Sequence, residues 1–342
     1  MYQNRKVILC SFYSFDLFPS AMRFKEQASL MLWCDNTPIF DSIEVYNEYN
    51  LPYDEKFILY LKPYLKASRG FGYWCWKPFV ILKTLQSCQE GDIVIYLDIG
   101  CTLSPKGTKK MQEYLTLAIK NTFVCGEIPS IEREWSKADL LRYMGALHDT
   151  TMIDTPQRPG GVLFLCKNHQ SLLFITQWLQ VFYDDFSLVD DTPSKIPNLA
   201  GFREHRHDQS VFSLLSKRHN LAPLDFITEF HSKSPLYPIN AARNKVFFHK
   251  ILQQENSCFN ALLLSIRSLI PKKQYRMKLM DCLNTNLTNL ILSTLNDTNF
   301  KFTHKDIFID ICTFVLLAVC KKDIYRIIKE NHAFLSQELG KI

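Results

Sequence analysis

Short apolar runs recur along the first two thirds of the chain, each bounded by polar or turn-forming residues. KVILCSF (6–12), DIVIYLD (92–98) and GGVLFLC (160–166) are nearly continuous apolar stretches rich in β-formers. Such runs are expected of strands covered on both faces of a sheet. SIEVYNE (42–48) and TFVCGEI (122–128) add two more strand candidates. Between them, apolar residues fall at helical spacing in 21–33, 77–88, 109–120, 136–147 and 169–186, the second with Pro78 in its first turn, where a missing amide is harmless. EKFILYLKPYL (55–65) fits neither period cleanly. Strands alternating with helices predict a three-layer α/β domain with a largely parallel central sheet, residues 1–246. From 247 to 342 helical periodicity dominates and Lys/Arg clusters flank apolar faces, which predicts a helical C-terminal appendage for packing, dimerisation or membrane-surface contact. No fixed-period repeat is present.

Composition narrows the class. The chain of 342 residues is 47% hydrophobic and 22% charged, in the globular range. A formal charge of +6 without a long basic run favours phosphate-bearing or anionic-lipid partners over nucleic acid. Eleven cysteines, many inside apolar runs, read as reduced buried thiols rather than disulfides or zinc ligands. The N-terminus does not read as a signal peptide, and the longest apolar segment (307–320) contains Asp310 and is too short to span a bilayer. A cytoplasmic protein is expected, with peripheral contact on the inner face of the cytoplasmic membrane as an extension of that reading.

Four segments carry candidate chemistry. YLDIG ends a buried strand on Asp98, a carboxylate placed where ligands bind in open α/β sheets, although an Asp there also serves as a turn cap. RGFGYWCWKP (69–78) sets Arg69, Trp76 and Lys77 among aromatic rings and two glycines, either a packed loop or a flexible one bringing cations to an anionic, flat ligand. RPGGVLFL puts Gly160 and Gly161 before a strand, where backbone can approach a ligand closely. EHRHDQSVFSLL gathers His205, His207, Asp208 and Gln209 at a helix start, as metal or substrate ligands or as a cap. A later Pro-rich loop carries His231, Lys233 and Arg243, either a lid or a plain connection. The stretch after the first strand, SFYSFDLFPS, has no glycine, which argues against a dinucleotide-binding oxidoreductase, and no P-loop is present.

Together GFGYWCWKP, YLDIG, PGGVLFL and HRHDQS resemble the bacterial GT-A glycosyltransferases of capsule, O-antigen and lipooligosaccharide gene clusters, with the logic of glycosyltransferase family 8; the likeness covers about residues 6–243. The resemblance implies a GT-A fold and transfer of a hexose from a nucleotide-diphosphate sugar, UDP by family habit, to a saccharide or lipid-linked acceptor in surface polysaccharide synthesis. It implies that Asp98 is the first Asp of an Asp-x-Asp, binding a divalent Mg²⁺ or Mn²⁺ or the ribose. By the same likeness Asp208 and Gln209 are the Asp-Gln pair facing the donor sugar, with Arg69, Trp76, Lys77, Gly160, Gly161 and His207 on the nucleotide-sugar. His231 falls near a C-terminal metal-binding histidine. Gly100 stands where the second Asp should be, so either His207, Asp208 or His231 completes a metal site or Arg and Lys neutralise the diphosphate. Retention of configuration is the favoured outcome; in an inverting enzyme Asp208 is the nominated base. The alternative reading is a catalytically silent GT-A-fold carbohydrate-binding or assembly protein.

Overall fold

The structure is a computed structural model; it describes residues 1–14, 17–32, 39–48, 50–66, 69–224, 237–241 and 243–245. Residues 1–14 and 26–245 form one compact unit, and 15–25 with 246–342 form a second. The predicted helical appendage and His231 lie outside the described residues.

In chain order the first unit is built from β1 (Val7–Phe12), α1 (Phe18–Leu32, its first residues in the second unit), β2 (Ser42–Tyr46), α2 (Glu55–Tyr60), α3 (Trp76–Ser87), β3 (Ile93–Leu97), α4 (Thr108–Asn121), β4 (Phe123–Cys125), α5 (Glu132–Trp135), α6 (Ala138–Tyr143), β5 (Val162–Cys166), α7 (His169–Asp184) and α8 (His207–Arg218), with shorter turns between. The five strands form one sheet in the order β2-β1-β3-β5-β4. Every residue of β1, β3 and β5 is buried, as their continuous apolar runs predict for the middle of a covered sheet. Alternation divides their side chains between two layers. Cys10, Val94, Tyr96, Leu163 and Leu165 join a core with α3, α7 and α8. Phe164 points to the other face, its ring 5.5 Å from Tyr114 of α4.

The sheet is largely parallel, as expected, with β5 as the one antiparallel strand. β1 runs parallel to β2 and β3, but β5 is antiparallel to β3 and β4, so four strands share one direction and one opposes it. The physical result is local. Leu97, the last residue of β3, pairs with Val162, the first of β5, so the loop carrying Gly160 and Gly161 arrives beside Asp98. The Asp98 amide donates to the Gly161 carbonyl at 2.8 Å.

Two other segments resolve ambiguities. EKFILYLKPYL begins as a helix because Asp54 caps it, accepting from the Phe57 amide at 2.8 Å; Ile58, Leu59 and Tyr60 follow one another on its exposed side, which explains the missing period. The helix expected over 136–147 closes early, its chain turning at Gly145 with φ +63°.

Candidate functional site

The 69–78 segment is an ordered turn of inverted hand. Gly70, Phe71, Gly72, Tyr73 and Trp74 have φ of +60°, +52°, +90°, +51° and +59°. Tyr73 and Trp74 amides return to the carbonyls of Arg69 and Gly70, four residues back, so the segment is a left-handed helical turn. For non-glycine residues this hand costs roughly 1–2 kcal/mol each. Glycine is required at both glycine positions: a Cβ on Gly70 would lie 2.3 Å from the Trp74 ring, and one on Gly72 would lie 2.7 Å from the Tyr64 carbonyl oxygen. Packing offsets the strain. Trp76 donates from its indole to the Gly70 carbonyl at 3.1 Å, and its ring stacks on Phe12 at 4.0 Å. Trp76 is therefore core, whereas Trp74 reaches the cavity wall.

The turn delivers Lys77, one residue into α3, to the interior. Its side chain is 3% exposed, and its ammonium lies 2.6 Å from Asp208 and 3.3 Å from Asp98. Burial alone lowers a lysine pKa, but the Asp208 and Asp98 carboxylates outweigh it and Lys77 is held above its ordinary value. Asp208, 5% exposed at its side chain, is pushed up by burial to about 6, against the opposing pull of Lys77 and with a further push from Asp98. At neutral pH Asp208 is therefore ionised against the Lys77 ammonium. Asp98 is the more open carboxylate, 33% exposed, and accepts a 2.8 Å hydrogen bond from the Tyr96 hydroxyl. Tyr96 lies two residues before Asp98 on the same strand face, a spacing from which the sequence could have nominated it.

The glycines before β5 make room for this cluster. A Cβ on Gly161 would come within 2.8 Å of an Asp98 carboxylate oxygen, and one on Gly160 would meet the Trp178 ring at 3.5 Å and Asp208 at 3.8 Å. Position 100 is closed in a different way. A Cβ there would meet Lys245 at 3.1 Å and the Arg243 backbone at 3.3 Å, and the Asn244 amide donates to the Gly100 carbonyl at 2.9 Å. Glycine at this position lets 243–245 lie against the strand end.

A cavity of about 320 Å³ opens onto these groups, within the size range of small-molecule sites. Asp98, Asp208 and Gln209 line it together with the cations Lys77, Arg206, Arg243 and Lys245. The Arg206 guanidinium lies 3.8 Å from the centre of the Trp135 ring, and burial followed by the charge of Arg243 lowers its pKa. Arg206 lies inside the HRHDQS segment and Lys245 two residues past Arg243, but no spacing in the sequence marks either as a neighbour of Asp98. Arg69 reaches the wall too, but pairs with Glu204 and, at 3.7 Å, with Asp191.

His207 opens α8 with φ +52° and turns Asp208 and Gln209 inward. Its Nδ1–H donates to the Val189 carbonyl at 2.6 Å, its ring lies over Trp74 at 5.7 Å, and burial lowers its pKa. His205 is buried beside it and likewise lowered well below the ordinary value by burial, then by His207. Both rings are uncharged at neutral pH. The histidines thus serve to seat the strained start of α8, with His207 also on the cavity wall.

Residues for a divalent metal are sparse. Among the described residues no three His, Cys, Asp or Glu side chains converge to hold an ion. Asp98 has Asp208 as its carboxylate companion, and a cation between them would have to displace an ammonium that touches both. No described helix is long and apolar enough to cross a membrane.

No protein-family model matches the sequence, and no curated protein matches it. Among solved structures, mouse xyloside xylosyltransferase 1 in its apo form is similar at TM-score 0.39 and 11% identity, covering 70% of this chain and 97% of that one. What the site can do must come from its own geometry.

Proposed function

We propose that this protein is a GT-A-type glycosyltransferase that moves a hexose from a nucleotide-diphosphate sugar, with UDP as the carrier, to a saccharide or lipid-linked saccharide acceptor. One observation carries the reading: a carboxylate at the end of a buried strand and a second on a helix start share one buried lysine, beside a cavity lined also by Arg69, Arg206, Arg243 and Lys245. The acidic groups suit a polyhydroxyl sugar and its developing positive charge. The cations suit a diphosphate.

In this proposal the bond from the anomeric carbon to the diphosphate oxygen breaks, and its electron pair leaves with the phosphate. Arg206, Arg243 and Lys245 receive that charge, so the protein's own cations take the place of Mg²⁺ or Mn²⁺. Asp208, ionised above about pH 6, stabilises the positive anomeric centre beside Gln209. The acceptor hydroxyl oxygen bonds to that carbon, and its proton passes to the departing phosphate oxygen, which gives retention of configuration. Asp98, oriented by the Tyr96 hydroxyl behind it, holds the ribose or sugar hydroxyls, and Lys77 keeps the two carboxylates together.

A thermal-shift panel tests this: UDP, GDP, CMP and dTDP, each with EDTA, Mg²⁺ or Mn²⁺. One nucleotide should raise Tm equally in EDTA and in metal, by the equivalent of roughly 2.7 kcal/mol at a hundredfold excess over Kd. The shift should vanish in Asp98→Ala. No shift with any nucleotide would overturn the reading, and a shift that needs Mn²⁺ would overturn the metal-free version. Release of free sugar from the donor, abolished by Asp208→Ala, separates an enzyme from a silent binding protein.

A further inference from the structure

Behind Gln209 lies a buried polar network that ordinary charge pairing does not explain. Glu132, fully buried at the start of α5, receives four donors. Its Oε1 accepts from the Ser136 hydroxyl at 2.5 Å and the Gln157 amide at 2.8 Å; its Oε2 accepts from the Ser213 hydroxyl at 2.5 Å and Lys217 at 2.7 Å. A carboxylate in contact with an ammonium is an acceptor only. Gln157, also fully buried, must therefore face it with its NH₂ group. The two other contacts of that NH₂ agree. Ser136 spends its single proton on Glu132, and Ser210 donates its own to the Trp135 carbonyl at 2.9 Å. Both hydroxyls thus offer lone pairs to Gln157, at 3.3 and 3.4 Å. Turning the Gln157 amide over would set its carbonyl oxygen against the Glu132 carboxylate.

The fixed direction propagates one step further. The Gln157 carbonyl oxygen faces Gln209 and accepts its NH₂ at 2.9 Å. Gln209 then has its own carbonyl oxygen left for the cavity it lines. We infer that Glu132 and Gln157 are positioning residues that fix the polarity of Gln209, so that its carbonyl oxygen is kept as a hydrogen-bond acceptor for a ligand in the cavity. The inference rests on the glycosyltransferase reading and deepens it. That carbonyl accepts from a hydroxyl and repels a phosphate oxygen, so a bound nucleotide-sugar is oriented with a sugar hydroxyl on Gln209 and its diphosphate on the cations Arg206, Arg243 and Lys245. An unpaired polar group on either partner is what makes a reversed ligand unfavourable.

The experiment compares Kd for UDP, GDP and dTDP with Kd for UDP-glucose, GDP-mannose and dTDP-glucose, by calorimetry on the full chain. In Gln157→Met, Gln209 loses its anchor: the Kd of the sugar nucleotide should rise about tenfold, the worth of one well-placed hydrogen bond, while the Kd of the bare nucleotide stays the same. The exchanged pair Glu132→Gln with Gln157→Glu restores an acceptor opposite Gln209 and should return the sugar-to-nucleotide ratio to that of the wild type; Glu132→Gln alone, which frees Gln157 to turn over, should not. If Gln157→Met fails to fold, the comparison of the exchanged pair with Glu132→Gln decides alone. An unchanged ratio in Gln157→Met, or no recovery in the exchanged pair, overturns the inference while leaving nucleotide binding intact. Absence of binding by all six ligands to the wild type removes both this inference and the reading beneath it.

Discussion

Replacing Asp208 by Asn should make the protein more stable and less active at once. The carboxylate is buried, and its pKa is raised from 3.8 to about 6 chiefly by that burial. A folded-state pKa above the unfolded one means that the ionised form is penalised by folding. Stability is fully favoured below about pH 4 and declines as pH rises through about 6, where the proton leaves. Two pKa units at about 1.36 kcal/mol each give a penalty on the order of 3 kcal/mol at pH 7.5. Asn mimics the protonated form and removes that penalty. For a body of this size about 2–4 °C follows each kcal/mol, so a Tm gain of about 6–12 °C is expected. The assay is thermal unfolding of wild type and Asp208→Asn from pH 4 to 8. The curves should coincide near pH 4, separate progressively between 4 and 6 and keep a constant gap above that, while sugar transfer by the variant falls to a residual rate. A variant less stable than wild type at pH 7.5 would refute the reasoning, since it would mean that the Lys77 contact outweighs burial.

Four more outcomes follow from the same geometry. Lys77→Met strips the shared ammonium from both carboxylates and should cost about 3–5 kcal/mol at pH 8, with partial recovery near pH 5 as Asp208 takes up a proton, read by urea unfolding. Gly161→Ala drives a methyl group into Asp98 and should cut kcat/KM at least tenfold with little change in Tm, measured by donor turnover. Arg243→Ala and Lys245→Ala should each weaken nucleotide binding about tenfold and flatten its salt dependence, as expected of charge-assisted phosphate contacts. The transfer rate of the wild type should rise with pH through about 6 as Asp208 ionises, a limb absent from the residual rate of Asp208→Asn.

The strands are legible because β1, β3 and β5 are apolar throughout and bounded by polar residues, a pattern that burial on both faces demands. The direction of β5 is not legible. An apolar run reads the same either way, and its reversal depends on the long path between β4 and β5. Asp98, Asp208 and Gln209 are legible as polar residues at the ends of apolar elements, and the structure brings them to one cavity. The burial of Lys77 is hidden, because a lysine in the first turn of a helix normally reaches solvent; only the preceding turn carries it inward. The sequence marks that turn by Gly70 and Gly72 but hides its hand, since Phe71, Tyr73 and Trp74 all disfavour positive φ. Arg206 is carried by the same segment as Asp208 but is passed over because its neighbours His205, His207 and Asp208 offer more familiar chemistry, and Lys245 lies on a segment that no spacing ties to Asp98.

The left-handed turn also bears on the order of events during folding. A right-handed helix nucleates locally and grows in about a microsecond, but local growth cannot run through residues of the opposite hand. Residues 70–74 can settle only after Phe12 and Tyr64 are in place to hold Trp76 and Gly72. Lys77 is expected to be among the last side chains to lock, and with it the pairing of Asp98 and Asp208. Stopped-flow refolding would show this as nucleotide capture lagging behind the far-UV helix signal, in contrast to a site preformed on early secondary structure. Ligand competence would then serve as a chemical certificate of completed folding, issued only by chains that have closed their core.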